Sequence, residues 1–194
     1  MGYTSPTTGT KAAFLDRDGV LIRSDVIQGK PFAIRRLEDL SFFPDVKPSI
    51  AQLQKHGFKI VVVTNQPDVG NGIVDRSVVE QMNARIQSEL SVDVVKTCYH
   101  AQTDGCACRK PKPGMILSAA AELQINLSAS FMVGDRRSDI EAGRAAGCRT
   151  VFIDRNYTER KPEAPDFTAS SLSDAVTQIL GADTAATNRK SHHA

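Results

Sequence analysis

Residues 14–21 read Phe-Leu-Asp-Arg-Asp-Gly-Val-Leu, so that the end of an apolar strand is followed at once by two carboxylates and a glycine. Residues 12–15 have the length and composition of a short buried strand, and Gly19 lets the chain turn sharply after it. In a phosphoryl-transfer site, Asp16 could attack phosphorus while Asp18 protonates the leaving oxygen and later activates water. Taken alone, the same stretch is also typical of a loop that simply turns on Asp-Gly.

Outward from this stretch, short β-type runs alternate with helical segments, which is the pattern of a parallel sheet flanked by helices. Strands are expected at residues 12–15, 59–63, 92–98, 130–133 and 150–153, and helices at 44–56, 75–90, 115–123, 138–146 and 172–180. We therefore predict an α/β fold with a three-layer, Rossmann-like parallel sheet. One domain is expected over residues 11–181, with disordered segments at 1–10 and 182–194.

Polar residues follow the predicted strands at the point where each strand ends. Asp16, Thr64 and Asp135 each come directly after an apolar run, and Cys98 with His100 closes a fourth. The carboxyl ends of parallel strands lie along one edge of the sheet, where ligands bind. Residues separated by more than a hundred positions are thus expected to meet in one crevice.

Two further motifs offer groups that hold phosphate. In Thr64-Asn65-Gln66, a hydroxyl and successive backbone amides follow a strand. Lys110 lies just before a predicted helix N-terminus, where its charge would add to the helix dipole. Each motif also has an ordinary interpretation, since strand ends often carry Thr-Asn turns and residues 109–114 could be an exposed basic turn.

Asp135 would complete an oxygen site for Mg²⁺, because it ends the strand expected beside the first one and Mg²⁺ prefers a few carboxylates. Asp139 lies four residues later. It could tune that metal site or simply cap the helix that follows, and the sequence leaves both interpretations open.

Three of the four cysteines lie within eleven residues, which is clustering and not the spacing of a disulfide scaffold. Together with a histidine they offer the ligands of a closed tetrahedral zinc site: Cys98, His100, Cys106 and Cys108. The alternative is a set of buried thiols beside a surface histidine. Four protein ligands leave no open position, so such a zinc ion is expected to be structural. Cys148 lies apart and is expected to be a small buried apolar residue.

In this order and spacing, the four motifs resemble those of the haloacid dehalogenase (HAD) superfamily of phosphohydrolases, from residue 14 to about residue 153. The resemblance implies that Asp16 is the nucleophile and Asp18 the general acid/base. It implies that Thr64 and Lys110 bind the transferring phosphoryl group. It also implies catalytic Mg²⁺ held by Asp16, the backbone carbonyl of Asp18, and Asp135, which would offset repulsion between the nucleophile and the phosphate dianion.

The cysteine loop leading into residues 109–115 resembles, more narrowly, the bacterial heptose bisphosphate and histidinol phosphate phosphatases. That resemblance implies an HAD-type fold with little or no cap domain. It also implies that Arg109 helps to select the substrate and that Arg136 contacts a substrate phosphate. Asn65 and Gln66 are expected to bind substrate beside Thr64.

The implied substrate is D-glycero-D-manno-heptose 1,7-bisphosphate, cleaved at its 7-phosphate on a route to lipopolysaccharide or capsule. Residues 22–32 and 67–72 depart from the heptose phosphatase pattern, which leaves histidinol phosphate or another small sugar phosphate as alternatives. The basic residues between Arg23 and Arg36 could attract a second phosphate or form an ordinary solvated loop. A distant alternative is a zinc-stabilised binding module without catalysis.

The composition is that of an ordinary globular chain, with 41% hydrophobic and 24% charged residues and a formal net charge of +2. So small a charge gives no electrostatic reason to expect nucleic acid or an anionic membrane as a partner. The longest apolar runs fall far short of a membrane span, and the first ten residues lack the apolar stretch of a secretory signal. We expect a cytoplasmic protein whose partner is a small phosphorylated metabolite, and a monomer.

Overall fold

The computed structural model describes residues 9–191, which form eight strands and six α-helices. The strands are β1 (Ala12–Leu15), β2 (Asp25–Ile27), β3 (Lys30–Phe32), β4 (Lys59–Asn65), β5 (Val94–Cys98), β6 (Phe131–Gly134), β7 (Arg149–Ile153) and β8 (Phe167–Ala169). The helices are α1 (Val46–Lys55), α2 (Pro67–Gly70), α3 (Arg76–Leu90), α4 (Gly114–Leu123), α5 (Arg137–Ala146) and α6 (Leu172–Ser191).

Six strands form one sheet in the order β5-β4-β1-β6-β7-β8, and every neighbouring pair is parallel. Strand β1 lies between β4 and β6, with Leu15 opposite Val62 on one side and Val133 on the other. The carboxyl ends of these three central strands therefore meet at one edge. The predicted parallel α/β sheet is confirmed, with β8 as a sixth strand that the sequence did not predict.

Helices cover both faces of the sheet, because successive side chains of each strand point to opposite sides. In β1, Ala13 and Leu15 pack with apolar residues of α1, α3 and α6, whereas Ala12 and Phe14 pack with those of α4 and α5. All four side chains of β1 are fully buried. The result is the predicted three-layer, Rossmann-like arrangement, with β1 at its centre.

Between β1 and α1 the chain forms only a small antiparallel hairpin of β2 and β3. Its strands are three residues long, and Pro31 within β3 interrupts any regular strand pattern in the sequence. The carbonyl of Gly29, in the hairpin turn, accepts a hydrogen bond of 2.9 Å from Thr158 N. This short insertion agrees with the expectation of little or no cap domain.

The C-terminal helix α6 corrects the prediction of a disordered tail from residue 182, since the helix continues to Ser191. Gly181 does not end it, and an ion pair of 2.6 Å joins Lys11 to Asp183 in its later part. Thr10, expected to be disordered, bridges to Ile125. Residues 1–8 and 192–194 lie outside the described residues. Within the described range, no helix has the length and apolar character needed to cross a membrane.

Candidate active site

Lys110 is buried at the centre of the site, between two carboxylates. Its Nζ lies 2.7 Å from Asp16 Oδ1 and 2.7 Å from Asp139 Oδ1. It also donates a hydrogen bond of 2.8 Å to the carbonyl of Val63. A buried ammonium group so placed can hold a phosphoryl oxygen next to the Asp16 carboxylate.

Asn65 holds Lys110 in place from the backbone side. Its Nδ2 donates to the carbonyl of Lys110, and its Oδ1 accepts from the backbone N–H of Lys110, both at 3.1 Å. Asn65 lines the cavity, and its predicted role in binding substrate is untested. However, both ends of its amide are engaged with Lys110, so the side chain positions the lysine in this structure.

The cluster holds more carboxylates than ammonium groups, and the pKa values of its members shift accordingly. Burial raises the pKa of Asp16 to about 7, although Lys110 opposes this effect. Burial and the charges of Asp16 and Asp139 raise the pKa of Asp135 well above its ordinary value. Burial acts to lower the pKa of Lys110, but the two carboxylates beside it outweigh burial and raise it. One lysine thus faces three carboxylates, and a divalent cation would favour their ionised forms.

The three carboxylates fit a cation. One oxygen from each of Asp16, Asp135 and Asp139 lies within 4.8 Å of the others. Both oxygens of Asp135 are buried and lack a well-aligned hydrogen bond among residues 9–191, although the Tyr157 hydroxyl lies near enough to interact with this carboxyl group. Gly19 permits the close approach of Asp135, since a Cβ there would come within 1.7 Å of Asp135 Oδ2. Buried carboxylate oxygens without a full set of donors are ligands that Mg²⁺ can satisfy.

Asp139 caps the start of α5, one of the two roles that the sequence left open, and its role in tuning a metal site stays a prediction. Its Oδ2 accepts a hydrogen bond of 2.9 Å from the backbone N–H of Arg136, at the start of α5. Its Oδ1 faces Lys110 and the carboxylate cluster. The residue therefore fixes the helix start and contributes charge to the site.

Gly134 permits the close approach of Asp139, because a Cβ at Gly134 would lie 2.1 Å from the Asp139 Cβ. We expect Gly134→Ala to lower the free energy of unfolding by about 1–3 kcal/mol through overpacking. Gly181→Ala is the matched control, since nothing lies within 4 Å of that position in α6, and it should stabilise the protein by about 0.5–1 kcal/mol. Denaturant unfolding measures both, and an unchanged midpoint for Gly134→Ala would contradict the packing.

Asp18 lies on the cavity wall with its carboxylate held by two neighbours. Gln66 Nε2 donates to Asp18 Oδ2 and to Thr64 Oγ1, at 2.9 Å each. The buried guanidinium of Arg17 pairs with the same carboxylate. Gln66 was predicted to bind substrate, but in the structure it links two other site residues; the contribution of Arg17 was not predicted.

The two predicted substrate arginines differ in their partners. The guanidinium of Arg136 forms a two-pronged ion pair with Glu159, at 2.6 and 2.9 Å. Arg109 has a buried Nη1 with no hydrogen-bond partner among the described residues. An unpaired guanidinium nitrogen on a cavity wall is suited to an anion, so Arg109 is available for a ligand whereas Arg136 is engaged with Glu159.

One cavity of about 500 Å³ lies at the carboxyl edge of the sheet, and its lining includes Asp16, Asp18, Thr64, Arg109, Lys110 and Asp139. Its walls come from the β2–β3 hairpin, α2, the cysteine loop and the segment that carries Glu159. Lys30, Phe32 and Arg35 of the hairpin segment line it, and Arg35 forms an ion pair of 2.8 Å with Asp68. Lys30 has no ion-pair partner within the described part of the chain.

The cysteine loop brings its four predicted ligands together. The three Sγ atoms of Cys98, Cys106 and Cys108 lie 3.3–3.6 Å apart. His100 Nδ1 lies 3.2 Å from Cys108 Sγ and 3.6 Å from Cys98 Sγ. These separations fit a tetrahedral ion with bonds of about 2.0–2.3 Å. The remaining thiol, Cys148, is buried in the core, as expected, and its burial raises its pKa to about 12.

Known proteins share this sequence and fold. The family model described as HAD-hydrolase-like matches residues 107–175. The D-glycero-beta-D-manno-heptose-1,7-bisphosphate 7-phosphatase of Pseudomonas putida is 36% identical over 159 residues, covering 79% of this chain and 87% of the relative. The protein of the same name from Escherichia coli K12 is 33% identical over 178 residues, covering 84% and 90%. A crystal structure of D,D-heptose 1,7-bisphosphate phosphatase from B. bronchiseptica, complexed with magnesium and phosphate, superposes with a TM-score of 0.76 at 28% identity, covering 88% of this chain and 98% of that one.

Proposed function

The chain belongs to the HAD phosphatase family that includes the D-glycero-beta-D-manno-heptose-1,7-bisphosphate 7-phosphatases, and we propose that it hydrolyses the 7-phosphate of that sugar bisphosphate through a phosphoryl intermediate on Asp16. The resemblance predicted from the motifs is confirmed by the relatives, and the chain is a phosphatase. The substrate, the metals and the role of each residue are part of the proposal.

One observation carries the mechanism: the buried contact of 2.7 Å between Lys110 Nζ and Asp16 Oδ1, beside the unsatisfied oxygens of Asp135. A nucleophilic carboxylate needs a cation that receives the incoming phosphoryl oxygens and a metal that lowers charge repulsion. The arrangement supports Asp16 as that nucleophile and Lys110 as that cation.

In the first step, an oxygen of Asp16 attacks phosphorus, and the bond from phosphorus to the leaving oxygen breaks. The electron pair of that bond stays on the leaving oxygen, which takes a proton from the carboxyl group of Asp18. Lys110 and Thr64 hold the phosphoryl oxygens. Because Thr64 Oγ1 accepts a hydrogen bond from Gln66, its own O–H remains free to donate to phosphate.

In the second step, water gives a proton to the Asp18 carboxylate and attacks phosphorus of the acyl phosphate. The bond from phosphorus to the Asp16 oxygen breaks, which releases inorganic phosphate and restores the carboxylate. The backbone N–H of Asp16 donates a hydrogen bond of 3.0 Å to the carbonyl of Val133. This bond holds the strand end that carries the nucleophile through both steps.

Mg²⁺ would be held by Asp16, Asp135 and the backbone carbonyl of Asp18, with Asp139 as the adjoining carboxylate. When bound, it supplies positive charge that offsets the repulsion between the Asp16 carboxylate and the phosphate dianion. Zn²⁺ would be held by the thiolates and imidazole of the cysteine loop, in a closed structural site. The cysteines are clustered as in a metal site and not spaced as in a disulfide scaffold, which supports the expected cytoplasmic location.

The cavity supports a substrate with a second anionic group. Arg109 offers a buried nitrogen without a partner, and Lys30 offers an unpaired ammonium group on another wall. A sugar bisphosphate that places one phosphate at Asp16 would present its other phosphate to these cations.

Phosphate release with Mg²⁺ tests the substrate across both anomers of heptose 1,7-bisphosphate, histidinol phosphate and simple sugar monophosphates. We expect kcat/KM for the β-anomer to exceed those of the other esters by roughly 10–100-fold, the range that a few polar contacts supply. A preference for histidinol phosphate would reject the sugar substrate and retain the mechanism. The cause would then lie in the loops at residues 22–43 and 67–72, parts of which line the cavity.

A further inference from the structure

The side chain of Arg17 is entirely buried although it lies between the two aspartates of the site. Its Nε donates to Asp18 Oδ2 at 2.9 Å, and its Nη2 donates to Asp18 Oδ1 at 3.3 Å. Gln66 donates to the same Oδ2 from the opposite side. Three N–H groups thus hold both oxygens of a carboxylate that borders the cavity.

The far end of the guanidinium is also fixed. Arg17 Nη1 donates to Asn83 Oδ1 of α3 at 3.1 Å, and Asn83 Nδ2 donates to Thr97 Oγ1 of β5 at 2.9 Å. Asn83 is itself buried. Burying a charged guanidinium is costly unless it is paired and hydrogen-bonded. Arg17 is buried at the position between Asp16 and Asp18, and its hydrogen bonds offset the cost of that burial. The result is a rigid support for the Asp18 carboxylate.

We propose that Arg17, held in place by its hydrogen bond to Asn83, is a positioning residue that fixes the Asp18 carboxyl group for proton transfer to the leaving oxygen. The inference rests on the proposed function, in which the proton of Asp18 goes to the leaving oxygen as the phosphorus–oxygen bond breaks. Arg17 does not touch the substrate; it acts through Asp18. Correct placement of a general acid contributes strongly to rate only when the reacting atoms are held at hydrogen-bond distance.

A purely structural ion pair and a positioning device differ in one measurable respect. Loss of a structural pair lowers activity toward all phosphate esters alike. Loss of positioning slows only those esters whose leaving oxygen needs a proton. An alkyl phosphate, such as a sugar phosphate, releases a strongly basic alkoxide, whereas 2,4-dinitrophenyl phosphate releases a stable anion that needs no proton.

The test compares kcat/KM of the full chain with Mg²⁺ for these two kinds of ester, because kcat/KM reports steps up to phosphoryl transfer onto Asp16. For Arg17→Met we expect a loss of about 10²-fold or more with the sugar bisphosphate, the size of a general-acid contribution. With 2,4-dinitrophenyl phosphate, the loss should be several-fold at most. Arg17→Lys keeps the charge but not the planar pair of N–H donors, so its loss of kcat/KM with the sugar bisphosphate should lie between those of wild type and Arg17→Met.

Asn83→Ala keeps the test decisive if Arg17→Met fails to fold. It leaves the contact between Arg17 and Asp18 and removes the hydrogen bond that Asn83 accepts from Arg17 Nη1. It should show the same selective loss, on the order of tenfold. Thr150→Val is the matched control, because it removes the two hydrogen bonds between the buried Thr150 Oγ1 and Asp166, far along the chain from Asp18. It should affect both esters equally.

Equal losses for both leaving groups in the Arg17 and Asn83 variants would overturn the inference and leave the proposed function intact. A wild-type protein without Mg²⁺-dependent turnover of any ester would overturn the proposed function instead. Selective loss with the sugar bisphosphate supports both.

Discussion

Asp16→Asn is expected to lower kcat/KM by at least about 10³-fold, because the amide cannot attack phosphorus and no other group in the site can replace the nucleophile. The fold should be unaffected. Lys110 keeps its contacts of 2.7 Å with Asp139 and 2.8 Å with the Val63 carbonyl. The substitution also removes one of three clustered carboxylates, two of whose pKa values are already raised by burial. Steady-state phosphate release and thermal unfolding measure the two effects separately.

The covalent intermediate gives a second, independent readout. After acid quenching of a reaction with a ³²P-labelled ester, the wild-type protein should retain label and the Asp16→Asn protein should retain none. Asp16→Ala controls for slow deamidation of the new asparagine, which would restore an aspartate. Substantial turnover by freshly prepared Asp16→Ala would refute the assignment of the nucleophile, and zinc content should be equal in all three proteins.

The positions of the site residues could be predicted from the sequence because they depend on strand order and strand ends. Asp16 and Asp135 follow β1 and β6, which pair directly, so their approach follows from topology alone. The clustering of Cys98, His100, Cys106 and Cys108 could be predicted because their spacing within one loop leaves few other ways to group three thiols and an imidazole. In both cases the pattern is local, or is carried by regular secondary structure.

The partners of the side chains could not be predicted, because they depend on how separate elements pack. Nothing in the sequence links Arg17 to Asn83, which is 66 positions away, or Arg136 to Glu159. Asn65 was predicted to bind substrate from its place after a strand, yet tertiary packing turns its amide toward the backbone of Lys110. The strand β8 and the β2–β3 hairpin are only three residues per strand, too short for a periodic signal.

Loss of zinc is the second change for which we expect a large effect. The cysteine loop makes close backbone approaches at two places, and its residues Cys106 and Cys108 are only partly buried against the core. A Cβ at Gly70 would lie 2.3 Å from Ala101 N, and a Cβ at Gly114 would lie 2.3 Å from Ala107 O. The loop then continues directly into Lys110. We therefore expect its conformation to influence the position of Lys110, the predicted phosphate-binding lysine, and to depend on the residues that close the loop.

Cys108→Ser is expected to abolish stoichiometric zinc and to lower the free energy of unfolding by several kcal/mol, because zinc binding that requires the folded loop adds directly to folding stability. In contrast to Asp16→Asn, turnover should fall together with stability, since Lys110 loses its support. Elemental analysis, denaturant unfolding and kcat are the measurements.

Cys148→Ala is the matched control for loss of a thiol, because Cys148 is buried in the core and lies outside the cluster of Cys98, His100, Cys106 and Cys108. It should keep about one zinc ion per chain and cost only the roughly 1 kcal/mol of a small core truncation. The comparison distinguishes loss of the metal from loss of a thiol. If the protein contains no zinc and its Cys108→Ser variant is as stable and as active as wild type, the loop is held by packing alone. A loss of stability and turnover in Cys108→Ser but not in Cys148→Ala would instead mean that the metal holds the loop against α2 and α4. The loop would in turn hold Lys110 beside Asp16.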